Sequence, residues 1–246
     1  MSRKRIAFAA FAAFVAFAHA PAAGQDAHDR PWTLPNPIIV IDPYQGNSVD
    51  WDKVATDRNV KAVIHRAYYG LTPDTRYVAR ARAAKAKGLR YGLYLLGRPG
   101  DPIRQADALI AAGAATGAKF LALDIENLDP ALSMTLPNAI RFINRVHART
   151  GRYPAFYTNY STYQHINANY PAGSVFAKTP LWIARFRSQV GTMNPKIWPD
   201  YRFWQFSSEI NCTPTTTCLY RVPGTRTDMD VNVFNGSEAD LAALFD

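Results

Sequence analysis

The chain has 246 residues, of which 48% are hydrophobic and 13% aromatic, and its formal net charge is +9. This length suits one large domain with a sizeable core, since α/β barrels commonly have about 200–250 residues, and the composition argues against disorder beyond the N-terminus. The positive charge would draw an exported protein to anionic polymers, of which cell wall is the favoured candidate and nucleic acid the rival. No nucleic-acid recognition motif is present, and a role of the charge in solubility alone stays equally open.

The first 24 residues are predicted to be a signal peptide. Three basic residues, Arg3 to Arg5, precede an uninterrupted apolar run at residues 6–18, and small residues follow. Because a membrane-spanning helix needs about 20 apolar residues, a cleaved secretory signal is favoured over an uncleaved anchor. Cleavage between Ala20 and Gln25 would export the protein to the periplasm or the extracellular space, with no stable membrane association afterwards.

Residues 25–36 are rich in proline, alanine and polar side chains and are predicted to be a linker, and residues 37–246 are predicted to form one domain. Apolar runs in that domain predict strands at residues 38–42, 61–67, 90–97, 119–126, 153–159, 180–186, 201–208 and 229–236. Helical spacing of apolar residues, with capping and terminating residues, predicts helices at residues 75–88, 104–117, 137–151 and 237–245.

This alternation of strands and helices with short loops implies parallel strand pairing. It continues for about five units, after which strands follow one another with little helix between them. We therefore predict an α/β fold: a single irregular (β/α) barrel, similar to a TIM barrel, with about five β/α units and then extra strands. No glycine-rich phosphate loop follows the first strand, which argues against nucleotide binding.

The two cysteines of the chain are Cys212 and Cys218, separated by a short polar loop. Export implies an oxidising compartment, where such a pair is predicted to form a disulfide on a surface loop. A metal site is not expected, because the spacing is wrong for one and no histidine lies nearby.

Polar and aromatic residues gather where the predicted strands end. In a parallel barrel the carboxyl ends of the strands meet at one rim, where function concentrates. An unpaired charge is costly inside a core, so several acids that converge on one rim suggest a site. The residues at these ends are Asp42, Asp124, Glu126, Tyr157, Asn159, Trp182, Arg185, Trp204, Gln205 and Asp230.

Asp124 and Glu126 form the most informative pair. They are two positions apart on one predicted strand, so their side chains point to the same side, with Cα atoms roughly 6–7 Å apart. Ionisation of one carboxyl raises the pKa of the other, which can then stay protonated and act as an acid. Paired carboxyls with exposed aromatics are what glycosidic cleavage uses. The structural alternative is that the acids cap helices or pair with arginine.

Together these segments resemble the glycoside hydrolase family 25 muramidases, also called Chalaropsis-type lysozymes. The resemblance covers residues 37–236, nearly all of the predicted domain. Its most specific parts are "LWIA", "WQFSS" and "DVNVF", in this order. The matching stretches are "VIDPYQGNSVDW", "VKAVIHRAYYG", "KGLRYGLYLL", "RQAD", "LALDIE", "TGRYPAFYTN", "PLWIARF", "FWQFSS" and "DMDVNVFNG".

The resemblance implies a flattened barrel that cleaves the β-1,4 bond between N-acetylmuramic acid and N-acetylglucosamine in peptidoglycan. It assigns the proton donor to Glu126, and it assigns to Asp124 the orientation of the substrate's 2-acetamido group as that group attacks the anomeric carbon. No cofactor or metal is implied, and a monomer is expected. The residues that it places at the substrate site are Asp42, Asp230, Tyr94, Tyr157, Trp182 and Trp204.

Two segments depart from the family pattern. The loop after Asp42 reads "DPYQGN", which is shorter than in many members, and Tyr69 stands where the family usually has an acid in the groove. Two alternatives therefore stay open beside a muramidase. One is a non-catalytic barrel that binds cell-wall polysaccharide, and the other is a glycosidase of different specificity, such as for chitin.

Overall fold

The computed structural model describes residues 25–246, so the predicted signal peptide lies outside the described residues. No helix in this part of the chain is both long enough and apolar enough to cross a bilayer. The strands are β1 Ile39–Ile41, β2 Val60–Tyr69, β3 Thr72–Pro73, β4 Arg90–Leu96, β5 Leu121–Asp124, β6 Ala155–Asn159, β7 Leu181–Ala184, β8 Phe203–Ser207 and β9 Val231–Phe234. The α-helices are α1 Trp51–Val54, α2 Tyr77–Ala86, α3 Pro102–Thr116, α4 Leu136–Thr150, α5 Tyr160–Asn169 and α6 Glu238–Phe245.

The strands form one sheet that closes into a barrel, because β1 pairs with both β2 and β9. Pairing is parallel from β1 through β2, β4, β5, β6 and β7 to β8, and β3 only extends the end of β2 as a hairpin. The predicted irregular (β/α) barrel is thus confirmed. The last strand differs from the rest, since β9 is antiparallel to both β8 and β1.

Helix boundaries follow from capping chemistry. The Asp101 carboxylate accepts a hydrogen bond of 2.8 Å from the backbone N–H of Ile103, which satisfies a donor that has no partner within α3. Pro102 occupies the first turn, where its missing N–H costs nothing. Gly117 ends the helix with φ of 65°, a left-handed conformation that glycine adopts without strain.

Side chains on each strand alternate between the barrel lumen and the layer between strands and helices. On β1, Val40 belongs to the lumen core, whereas Ile39 and Ile41 belong to the larger outer core beneath the helices. The same parity decides which strand residues can reach the open end of the lumen.

Helix α6 closes the other end of the lumen. Ser237 caps it and forms a reciprocal capping box with Asp240. Phe245 stacks on Phe120 with ring centroids 4.5 Å apart, and Leu241 is fully buried in the lumen core. The barrel therefore has one plugged end and one open end.

Several segments differ from the predictions made from sequence. Helix α5 is additional to the predicted helices, and Asn159 caps it by accepting from the backbone N–H of Thr162. Residues 25–36, predicted to be a linker, pack on the barrel. Trp32 is 5% exposed and stacks on Phe206 at 3.8 Å, and the Arg30 N–H donates to the Ser188 carbonyl at 2.8 Å.

Candidate functional site

A pocket of about 170 Å³ lies at the open end of the barrel. It collects residues from nearly every strand, as expected where parallel strands end. All the residues predicted for the site line it except Trp204. The lining residues are Asp42, Tyr44, Arg66, Tyr94, Leu96, Asp124, Glu126, Tyr157, Trp182, Gln205 and Asp230.

Asp124 and Glu126 both reach this pocket, although β5 ends at Asp124. The extended path continues beyond the strand, because the Ile125 N–H still donates to the Tyr157 carbonyl at 3.0 Å. Ile125 itself turns outward and is fully buried. The Asn159 amide holds the next residue by donating to the Glu126 carbonyl at 2.7 Å. The two carboxyls thus share one side of the chain.

The two acids sit in different surroundings. Asp124 is 3% exposed, and its Oδ1 is a buried atom with no hydrogen-bond partner among residues 25–246. Glu126 instead stands at the mouth and is exposed to solvent. An unpaired buried acceptor is costly unless a ligand completes it, so Asp124 is suited to receive a donor from a bound molecule.

The electrostatics raise the pKa of both carboxyls. Burial is the main cause for Asp124 and the charge of Glu126 the next, while Arg66 opposes them. For Glu126 the main cause is also desolvation, within the walls of the mouth, and the charge of Glu209 adds to it. Both carboxyls thus favour the protonated form more than free carboxyls do, and Glu126 is the one that is exposed for proton exchange with water.

Asp42 is held by a forked set of hydrogen bonds. Gln205 Nε2 donates to one carboxylate oxygen at 2.8 Å, and Asn232 Nδ2 donates to the other at 2.5 Å. Each amide oxygen accepts in turn, from the Tyr157 hydroxyl at 2.7 Å and from the Trp182 indole N–H at 2.6 Å. We call these five residues the amide tier. Asp42 is thus held at the pocket by two amides, each of which is held in turn by an aromatic donor.

Burial, followed by the charge of Asp230, raises the pKa of Asp42, and the two amide donors oppose them. Asp230 reaches the same rim because β9 is antiparallel: the residue that precedes this strand lies beside the residues that follow the parallel ones. Burial raises the pKa of Asp230, and the charges of Glu209 and Glu126 raise it further. The pocket thus gathers four carboxyls around one lining cation, Arg66.

The aromatic residues of the site form a packed floor and wall. Trp182 makes edge-to-face contacts with Tyr94 at 5.9 Å and with Tyr157 at 4.7 Å between ring centroids. All three rings are nearly buried, with at most 8% of their surface exposed. They line the pocket as a packed, rigid base for a ligand.

Trp204, which was also predicted for the site, does not line the pocket. It is fully buried in the outer core, where its indole N–H donates to the Arg185 carbonyl at 2.8 Å. The cause is strand parity: Phe203 and Gln205 face the lumen, so the residue between them faces the helices. The same parity identifies Gln205, and Asn232 on β9, as the inward polar residues that the sequence interpretation left without a role.

Cys212 and Cys218 are disulfide-bonded, with their Cα atoms 4.4 Å apart. They lie in the long connection between β8 and β9, and Cys212 is three residues after Glu209. The disulfide closes a short loop near Glu209, whose charge raises the pKa of Glu126 and of Asp230.

Comparison with known proteins places this pocket in context. Residues 40–214 match the family Glycosyl hydrolases family 25. Lysozyme M1 of Streptomyces globisporus is 29% identical over 220 residues, which cover 84% of this chain and 70% of that protein. The crystal structure of the bacterial lysozyme from Streptomyces coelicolor superposes with a TM-score of 0.67 at 28% identity, over 85% of this chain and 96% of that chain. A family GH25 lysozyme from Aspergillus fumigatus shares the fold, with a TM-score of 0.66 at 23% identity over 84% of this chain and 98% of that one.

Proposed function

Since the chain belongs to glycosyl hydrolases family 25 and is a lysozyme-type peptidoglycan hydrolase, we propose that it cleaves the β-1,4 bond between N-acetylmuramic acid and N-acetylglucosamine. The observation that carries this proposal is the placement of Asp124 and Glu126 side by side in one pocket, the first buried and unpaired and the second open to solvent.

In the first step, Glu126 donates its proton to the bridging oxygen as the bond from that oxygen to the anomeric carbon breaks. The substrate's 2-acetamido oxygen attacks the anomeric carbon, while Asp124 Oδ1 accepts the acetamido N–H. In the second step, Glu126 takes a proton from water, and the water oxygen displaces the acetamido group. No protein nucleophile is needed, which fits two carboxyls that are neighbours on one strand and cannot flank a sugar ring on opposite faces.

The other acids act through charge and position. Asp42 and Asp230 place negative charge beside the oxocarbenium-like centre that develops at the anomeric carbon. The amide tier keeps Asp42 from moving, so this charge is oriented before the substrate arrives. Tyr94, Tyr157 and Trp182 form the wall and floor against which the sugar ring rests.

Enzymes of this family act on cell wall, so the site of action proposed here is the periplasm or the extracellular space. Residues 1–24, acting as a signal peptide, would direct the chain there and then be removed. The barrel with its packed residues 25–36 would work as a monomer on peptidoglycan, and its positive charge favours binding to an anionic wall.

Digestion of defined peptidoglycan tests the proposal. The products are reduced with borohydride and read by mass spectrometry, and a muramidase leaves N-acetylmuramic acid at each new reducing end. New ends on N-acetylglucosamine would contradict the bond assignment. Binding to the wall without any new reducing end would favour the non-catalytic alternative, which the replacement at Tyr69 motivates, and cleavage of chitin oligomers in preference to peptidoglycan would favour a chitin-directed glycosidase.

A further inference from the structure

One wall of the mouth carries alternating aromatic rings and cations, which we call the basic strip: Tyr44, Arg66, Tyr69 and Arg98. The Arg66 guanidinium carbon lies 4.6 Å from the Tyr44 ring centroid and 6.0 Å from that of Tyr69. The Arg98 guanidinium carbon lies over the Tyr69 ring, 4.7 Å from the ring centroid. These distances are within the range of cation–π attraction.

The basic strip runs from the acidic pocket outward. Tyr44 and Arg66 line the pocket itself. Tyr69 pairs in register with Leu96, another lining residue, and Arg98 follows two residues later, on the side that alternation predicts. Tyr44 and Tyr69 are 39% and 43% exposed, large fractions for aromatic side chains. A ligand that extends beyond the four carboxyls on this side meets rings and positive charge.

The backbone of Arg98 is fixed although its side chain is half-exposed. Gln105, which is 1% exposed, accepts from the Arg98 N–H at 3.1 Å and donates to its carbonyl at 2.8 Å. Within residues 25–246 no carboxylate oxygen lies within 4.0 Å of the Arg98 guanidinium. The position of this cation is therefore set, and its donors are available to a ligand.

Arg66 is also incompletely satisfied. Its Nε is buried without a hydrogen-bond partner in the described part of the chain, and its nearest carboxylate oxygen, on Asp74, is 3.9 Å away. That carboxylate is already engaged, because it accepts from the backbone N–H groups of Gln45 at 2.6 Å and Arg76 at 3.0 Å. Arg98 thus has no carboxylate partner among residues 25–246, and the buried Arg66 Nε beside it has no hydrogen-bond partner there, so an anionic ligand could engage donors of both groups.

We propose that the basic strip binds a carboxylate on the substituent of the sugar beside the scissile bond, with Arg98 as the main donor and Tyr69 as its support. This assignment rests on the proposed function. N-acetylmuramic acid carries a carboxyl on its lactyl ether, either free or extended by a peptide that bears further carboxylates, whereas chitin carries none. Tyr69 carries no charge that would repel such a group. The strip is therefore a specificity determinant for charged glycan.

Binding of soluble glycan strands tests this assignment. The ligands are peptide-free strands with free lactyl carboxylates, the same strands made neutral by coupling methylamine to those carboxyls, and strands that keep their peptides. Affinities are measured by calorimetry in a Glu126→Gln background, so that the strands stay intact. Arg98→Gln is expected to weaken binding of charged strands roughly fivefold, the upper end for a half-exposed ion pair, and to leave neutral strands unchanged. Arg98→Lys should restore part of the loss, because it keeps the charge without the two-pronged fork.

Arg82→Gln is the matched control, since it removes the same charge from an exposed position on α2. A loss with peptide-bearing strands alone would assign the carboxylate to the peptide, and a loss with both charged strands would assign it to the lactyl group. An equal loss with charged and neutral strands, or the same loss in Arg82→Gln, would overturn the proposal. Failure of the proposed function is separately visible, because unaltered protein would then produce no new reducing ends on any strand.

Discussion

The two ends of the barrel lumen are built from the same strands and have opposite chemistry. At the plugged end, Phe203 packs against Phe120 at 5.3 Å and Phe234 at 5.0 Å, and α6 covers them. One inward position further along two of these strands stand Gln205 and Asn232, which hold Asp42. A step of two residues therefore separates hydrophobic packing from a tier of satisfied polar groups, and the carboxyls lie beyond it.

The plugged end of the barrel therefore stabilises the fold, whereas the open end carries a site whose buried carboxyls destabilise it. Burial of large aromatic rings at the plugged end is favourable, whereas buried carboxyls of raised pKa oppose folding once they ionise. Substitutions at the two ends should therefore move stability and activity independently.

Glu126→Gln is expected to have the largest effect on activity and little effect on folding. Glutamine keeps the shape of the side chain but cannot donate the proton, and loss of a general acid lowers rates by about 10²–10⁴-fold. Release of reducing ends from peptidoglycan measures it. Glu238→Gln, at the plugged end, is the matched control and should keep full activity; equal rates for Glu126→Gln and the unaltered protein would contradict the mechanism.

Phe203→Ala tests the other end of the comparison. Phe203 is fully buried among aromatic rings, so the substitution should lower the free energy of unfolding by about 3–5 kcal/mol. Urea unfolding followed by tryptophan fluorescence measures this. Activity at low temperature, where the variant remains folded, should stay near that of the unaltered protein. A large loss of activity in the folded variant would show that the two ends are not independent.

Asp124→Asn sharpens the comparison through pH. Because the pKa of Asp124 is raised by folding, its contribution to stability is fully present below about pH 4, the region of its ordinary pKa, and is lost as pH rises through the folded value. The stability of Asp124→Asn relative to the unaltered protein should therefore grow as pH rises above about 4. Unfolding midpoints across a pH series measure the difference.

Asp107→Asn is the control for that series, with the opposite sign. Hydrogen bonds from Arg145 hold the pKa of Asp107 below its usual value, so its contribution is present above that value and fades as pH falls. A pH-independent difference for Asp124→Asn would contradict the raised pKa.

Tyr157→Phe should give the smallest effect, because it removes one hydroxyl from the amide tier. The Gln205 oxygen would lose its donor, which is expected to lower the free energy of unfolding by about 1 kcal/mol. Activity should fall modestly, since Gln205 still reaches Asp42. Stability and rate are measured together, and an unchanged pair of values would contradict a structural role for this hydrogen bond.

Much of the barrel could be predicted from sequence because most of the parallel strands are short apolar runs followed by polar or aromatic residues. Asp42, Asp124 and Glu126 come at the ends of predicted strands, and this position alone predicts that they lie at one rim of the barrel. The direction of β9 could not be predicted in this way, since an apolar run does not indicate whether its strand runs up or down. Asp230 reaches the rim because it precedes its strand.

Two other differences between the predictions and the structure, at Trp204 and at residues 25–36, also have physical causes. The family resemblance places Trp204 at the site, but strand alternation turns its side chain away because Phe203 and Gln205 face the lumen. The composition of residues 25–36 is typical of a linker, but the segment is held by the burial of one ring, Trp32, and by backbone hydrogen bonds. Neither kind of contact leaves a periodic pattern in the sequence.

The amide tier limits how this barrel can evolve. Gln205 and Asn232 each use an amide N–H for Asp42 and the amide oxygen for an aromatic donor, and Asn232 also donates to the Val40 carbonyl. An acid in place of either amide would set oxygen against oxygen, and an amide in place of Asp42 would set at least one N–H against another. These three positions are therefore expected to drift together or not at all, which leaves the outer rim as the place where new substrate preferences can arise.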